Sequence, residues 1–330
     1  GIKWSSAFNQ LFVIMNIVIL SIVIIIGLVF ITINGGIATW VSNIQSVGTD
    51  PSWTNLAYAT SIAMVSYVGI ESISQAAEET KDPKRTIPKA TKWVILSVVI
   101  MAVASSLLSV TLLSTKTLSA NSQAPMVAIV AQLPFIGAAI SVIIAFAGFA
   151  MCYVSTNTGV IGVSRVAFSM GRLKLFPTLF GRIHPKYRTP YITIIVFSLI
   201  AIGIILLNIS LPGVDMLGLI ASLYNFGALI AYMYVNLSLI MLRIKDPTPR
   251  AWKTPLNLKI PYKGRTYEIP ITGIIGFLSC LAVWILIVGT HPVARIIGTI
   301  WFIIGITSYF IITRKTKMSG SPIPNSSKDV

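Results

Sequence analysis

"SYVGIESISQAAEETKDPKRTIPKA", Ser66–Ala90, decides how this chain is read. It starts inside an apolar run and ends in a burst of charge. Gly69 and Glu71 stand where a helix crossing a bilayer would carry Leu, Ile or Val. A charged carboxylate at mid-helix costs on the order of 3 kcal/mol on insertion scales, so by default such a residue marks function. A helix interrupted at Gly69 frees backbone carbonyls and N–H groups at membrane depth, where they persist only if they line a cavity or meet a ligand. Carbonyls near Ser66 and Tyr67 then suit an ammonium group or another cation. Tyr67 can cover the ligand as an aromatic lid. Glu71 falls in the first turn of a second half-helix, where a carboxylate is favoured. Broken helices of this kind build the midplane sites of secondary transporters. Two plainer readings stand beside this one. A glycine in a membrane span also serves close helix packing, and Glu71 also serves simply as an acceptor for the freed backbone.

Working outward, hydrophobic residues make up 55% of the 330 and charged residues 10%, against about 25% charged in a soluble domain. Mean hydropathy is +0.84. The apolar runs predict eight helical spans, at about 11–33, 57–76, 93–113, 136–160, 191–207, 216–242, 271–289 and 294–313, each close to the roughly 20 residues a bilayer requires. Together they predict one transmembrane domain over 1–313, with a disordered tail at 314–330. The piece Ala124–Leu133 is too short to span and fits an interfacial or re-entrant helix. Trp40, Trp53 and Trp93 read as interface anchors.

The net charge of +16 lies almost entirely in loops, so nucleic acid is not an expected partner. Alternating sides along the chain puts 23 of the 25 Lys and Arg residues on one side and leaves Lys116 and Arg295 on the other. By the positive-inside rule both termini are cytoplasmic and the protein is a multi-pass component of the cytoplasmic membrane. The basic loops also touch anionic membrane lipid. Cys152 and Cys280 both fall in apolar spans, and no metal-ligand spacing or other cofactor signal is present. The chain opens on Gly1 rather than Met, which predicts a piece or processed form of a longer protein.

"SYVGIES" followed by "AAEETKDPKRTIPKA" resembles the sixth-helix signature of the amino acid–polyamine–organocation (APC) superfamily of permeases. "SRVAFSMGRLKLFP", "HPKYRTP" and "APMVAIVAQL" sit where that superfamily has similar segments. The resemblance covers nearly the whole chain and implies an all-α LeuT-type inverted-repeat fold, with family helices five to twelve present. It implies that four preceding helices are missing and required, because the first of them supplies the N–H groups that bind a substrate carboxylate. These 330 residues would then hold about half a site. Ser66, Tyr67, Gly69 and Ile70 are the implied substrate-binding residues, and Glu71 is a coupling or gating candidate. Asn16 falls where some proton-driven members carry a Lys. Ser155 and Thr156 fall about where sodium-coupled relatives place ligands, so the coupling ion stays between H+ and Na+.

The expected function is secondary active transport of amino acids or related amines by alternating access. The alternatives are a passive channel and a truncated or partner-dependent permease fragment. An enzyme needs a nucleophile–base pair, paired carboxylates or metal ligands at membrane depth, and one intramembrane Glu does not supply them. Weaker candidates are His184 and His291. Asn225 and Gly227 interrupt the sixth span and Gly218 begins it, which serves either hinge or gate motion or close packing.

Overall fold

The computed structural model describes residues 2–33, 38, 41–42, 45, 52–75, 77, 80–121, 124–131, 137–211, 213–246, 248, 252–262 and 265–318. Trp40, Glu78, Glu79 and the tail beyond 318 lie outside them. The helices are α1 Ile2–Ile33, α2 Trp53–Ala63, α3 Glu71–Gln75, α4 Pro83–Leu112, α5 Thr115–Ala120, α6 Pro125–Ala131, α7 Gly137–Arg172, α8 Tyr191–Ser210, α9 Met216–Lys245, α10 Ile271–Thr290 and α11 Pro292–Met318. Two strands, β1 Asn257–Tyr262 and β2 Arg265–Pro270, form an antiparallel hairpin between α9 and α10. Eight segments are long and apolar enough to cross a membrane, with α2 and α3 together making one of them. The chain is an all-α polytopic membrane protein.

The helix starts follow from local chemistry. Ser52 caps α2 by accepting from the Asn55 N–H at 3.3 Å. Asp215 caps α9 by accepting from the Gly218 N–H at 2.9 Å. A Cβ at Gly218 would collide with that carboxylate, so this glycine makes room for a cap rather than a hinge. Pro83 opens α4 at the position where a missing N–H does no harm. The third span therefore begins ten residues before position 93, and "KRTIPKA" is its first turns. Nor is the sixth span interrupted, since α9 runs through Asn225 and Gly227 without a break.

The residues fall into two compact units, one of Gly1–Pro51 with Thr91–Gly162 and one of Ser52–Ala90 with Val163–Val330. In the first, Val23, Leu108, Leu113, Ile129, Val130 and Ile144 form a buried cluster. A Cβ on Gly27 would run into the Leu108 side chain, so α1 and α4 approach closely through this glycine. The short helix α6 contributes Ile129 and Val130, both fully buried, which explains why its apolar sequence persists without spanning.

In the second unit α9 packs against α10, α11, α2 and β2. Phe226, Leu229 and Ile287 form its core. Gly276 of α10 lies over Asn236, and Gly298 of α11 lies over Phe226, each at a spacing no Cβ could share. Small residues at helix contacts are what apolar solvent selects, because association there rests on close van der Waals packing. Outward surfaces stay apolar: Ile202, Ile205, Leu206 and Ile209 of α8 are more than half exposed. A contiguous apolar belt of this kind is foreign to a soluble monomer.

Candidate functional site

The segment quoted at the outset is built as a fracture. Helix α2 ends at Ala63 and tightens into a 3-10 turn, Met64–Tyr67. Val68 turns the chain to extended backbone at φ −82°, ψ 143°, and Gly69 follows at φ +116°. L-residues rarely adopt that φ, and glycine adopts it freely. A Cβ at Gly69 would meet nothing within 4 Å. This glycine therefore serves backbone conformation, and the close-packing reading is corrected. Helix α3 then starts on Glu71.

The Gly69 N–H donates to Glu71 Oε2 at 2.8 Å, rather than to the 3-10 turn before it. Among the described residues no backbone hydrogen bond reaches the Ser66, Tyr67 or Val68 carbonyls. Ser66, Tyr67 and Gly69 are exposed, and Ile70 and Glu71 are half-buried. The fracture thus offers free carbonyls beside a small apolar side chain and an aromatic ring, which can receive a positively charged group.

Two tyrosines of α9 also reach the carboxylate, Tyr232 on the oxygen that accepts the Gly69 N–H and Tyr224 on the other. Tyr232 donates its hydroxyl to Glu71 Oε2 at 2.5 Å, and Tyr224 reaches Oε1 at 3.5 Å. Glu71 is therefore satisfied from both its own backbone turn and a neighbouring helix. Hydrogen bonds to an ionised group are worth roughly 1.5–3 kcal/mol. This arrangement supplies the acceptor role given to Glu71, and adds to it a tie across the unit.

Above the fracture, Asn225 is fully buried and donates Nδ2 to the Ser61 carbonyl at 2.8 Å and to the Ile62 carbonyl at 3.4 Å. It braces the last turn of α2. Ser61 Oγ lies 3.4 Å from His291 Nδ1, and Thr290 Oγ1 lies 2.8 Å from the same nitrogen. The imidazole stacks on Tyr58 at 4.2 Å between ring centroids. Burial pushes the His291 pKa below its usual value. His184, by contrast, is a turn residue: its Nδ1 accepts from the Lys186 and Tyr187 N–H groups at 3.2 and 3.3 Å.

Of the residues singled out in the sequence, Ser66, Tyr67, Gly69, Ile70 and Glu71 come together at the fracture. Asn16 on α1 and Ser155 and Thr156 on α7 belong to the first compact unit, with Asn16 half-buried and Ser155 and Thr156 exposed. Sequence reasoning missed Tyr232, Tyr224 and the bracing role of Asn225. A signal was present. Ser222, Asn225, Leu229, Tyr232 and Asn236 recur at helical spacing in "SLYNFGALIAYMYVN", so one face of a membrane helix carries most of its polar groups.

A family profile described as "Amino acid permease" matches residues 1–313. The chain belongs to the amino acid permease family. Among similar permease relatives, the "Methylthioribose transporter" of Bacillus subtilis (strain 168) is 25% identical, with 96% of this chain and 61% of the relative covered. The "Branched-chain amino acid permease BcaP" of the same organism is 27% identical, with 96% and 61% covered. The "Low-affinity putrescine importer PlaP" of Escherichia coli (strain K12) is 26% identical, with 98% and 66% covered. This permease chain thus spans roughly six-tenths of the length of these relatives. Relatives of this kind carry solutes, and the permease reading displaces an enzymatic one.

Proposed function

We propose that this chain acts in secondary transport of amino acids or related amines across the cytoplasmic membrane, with both of its ends on the cytoplasmic side. The observation that carries the reading is the break between two half-helices, where the Ser66, Tyr67 and Val68 carbonyls have no backbone partner among the described residues. Such carbonyls take a substrate ammonium, and Ile70 and Tyr67 flank the side chain. Two of the relatives, a branched-chain amino acid permease and a putrescine importer, support an amine-bearing substrate. Transport proceeds by alternating access around the fracture, and the helices of the longer relatives that this chain does not match complete the site. Glu71 positions the turn and gates it. Whether H+ or Na+ drives the cycle, through Glu71, Asn16 or the Ser155–Thr156 hydroxyls, is the finer question.

The test is counterflow. The full-length carrier containing this chain is reconstituted into vesicles and assayed with labelled leucine and putrescine. Saturable uptake accelerated by preloaded unlabelled substrate is expected. Flux that rises linearly with concentration, without counterflow, would establish a channel instead. An imposed proton gradient and an imposed sodium gradient, applied separately, identify the coupling ion.

A further inference from the structure

The β1–β2 hairpin has no place in the transport site, yet its two faces differ sharply. The strand register pairs Leu258 with Ile269, Ile260 with Tyr267 and Lys259 with Glu268. Directly opposed residues share a face, so Leu258, Ile260, Tyr267 and Ile269 form one apolar face. Tyr267 and Ile269 are half-buried, and β2 packs on α9. Their partners Leu258 and Ile260 are 48% and 43% exposed, with Leu256 at 67% and Trp252 at 40% nearby in sequence. The apolar face thus continues past the packed strand onto β1, which touches α10 but leaves the Leu258 and Ile260 side chains exposed.

Charge and attachment indicate the occupant. The segment Arg243–Pro270 holds seven Lys and Arg residues against Asp246 and Glu268. Lys253 pairs with Glu268 at 2.6 Å, and Lys259 lies opposite the same carboxylate. β2 runs directly into α10 at Ile271, whose N–H donates to the Leu256 carbonyl at 3.0 Å. A six-residue strand is about 20 Å long, short enough for the hairpin to stay beside the ends of the spans it joins. The last turns of α9 expose Met241, Leu242 and Ile244, which carries the apolar lipid-facing surface up to the hairpin.

We propose that the β1–β2 hairpin is an interfacial membrane anchor, with Leu258 and Ile260 at the acyl boundary and Lys253 and Lys259 on anionic headgroups of the surrounding leaflet. Polybasic segments gain about fivefold in binding per lysine near an anionic surface. A loop that joins two spans thereby reads the charge of its own bilayer.

The protein, with Cys152 and Cys280 replaced by Ser and Ile260→Cys carrying an environment-sensitive fluorophore, is reconstituted in two membranes. One is phosphatidylcholine alone. The other adds phosphatidylglycerol. Both contain brominated acyl chains as quencher. Quenching is expected in both, stronger in the anionic membrane and weakened there by salt. K253Q/K259Q is expected to remove the anionic increment, and Glu268→Gln, which releases Lys253, to enlarge it. Thermal unfolding of these variants checks that the fold is kept. Absence of quenching in both membranes would overturn the proposal, as would quenching indifferent to lipid charge and to both lysines. Protection of the fluorophore only on addition of a soluble protein fraction would assign the face to a protein partner and equally overturn it.

Discussion

Gly69 and Glu71 meet at the fracture, the one through its backbone conformation and the other through its carboxylate. The positive φ at Gly69 is held in open space, so a methyl group and a larger side chain meet the same obstacle. Backbone strain of this type is worth roughly 1–3 kcal/mol. Gly69→Ala and Gly69→Val are therefore expected to reduce transport to a similar extent, at equal amounts of protein in the membrane. A steep decline from Ala to Val would return the residue to a packing role. The Tyr232 and Tyr224 hydroxyls differ in distance to Glu71, 2.5 against 3.5 Å. Tyr232→Phe is expected to lower the thermal stability of the purified protein by roughly 1.5–3 kcal/mol, and Tyr224→Phe to change it little. Counterflow should fall with the first and persist with the second.

At the scale of the element, the half-helix α2 is held at its end by α9. Removing a buried donor takes a side-chain hydrogen bond from the end of α2, chiefly at the Ser61 carbonyl, at roughly 1–3 kcal/mol. Asn225→Leu is thus expected to destabilise the protein by that amount in denaturant or thermal unfolding, and to raise amide exchange at Ser61–Ala63 ahead of the rest of α2. His291 adds a pH dependence at the same end. Its pKa is lowered by burial, so the unfolded chain binds more protons in the window below about 6.5. The stability is complete above the unfolded value and is lost as pH falls through the folded one. Melting temperature is expected to drop between pH 7.5 and 5.5, and His291→Gln to flatten the drop. The sequence made the broken element legible because "SYVGIES" combines a glycine and a carboxylate within an apolar run. It hid the braces because Asn225 and Tyr232 come from a helix about 160 residues away, and no local pattern encodes which partner a polar face will meet.

At the scale of the molecule, span number was legible because bilayer thickness imposes a length that composition alone reveals. The hairpin falls within one of the basic loops, where charge and proline mask a strand pattern. Its alternation, Leu258 and Ile260 against Tyr267 and Ile269, is short and interleaved with charge, a signal far weaker than a span. Helix contacts were equally hidden, since glycines look alike in sequence. Gly298 faces Phe226 with no room for a Cβ, while Gly305, one to two turns further along α11, faces open space. Gly298→Leu is expected to cost roughly 1–3 kcal/mol by overpacking, read from thermal unfolding in detergent. Gly305→Ala should be neutral or gain up to about 1 kcal/mol of helix propensity.

One consequence of α9 concerns motion. It grips the half-helix α2 through Asn225 and the carboxylate that begins α3 through Tyr232. These residues are seven apart on one rigid helix, about 10 Å along its axis. The helix is therefore a splint across the fracture, and both halves travel with it as a single lever. Bending at Gly69 requires one grip to let go. A covalent link between α2 and α9 should then leave the cycle running, while the moving surfaces lie elsewhere in the carrier.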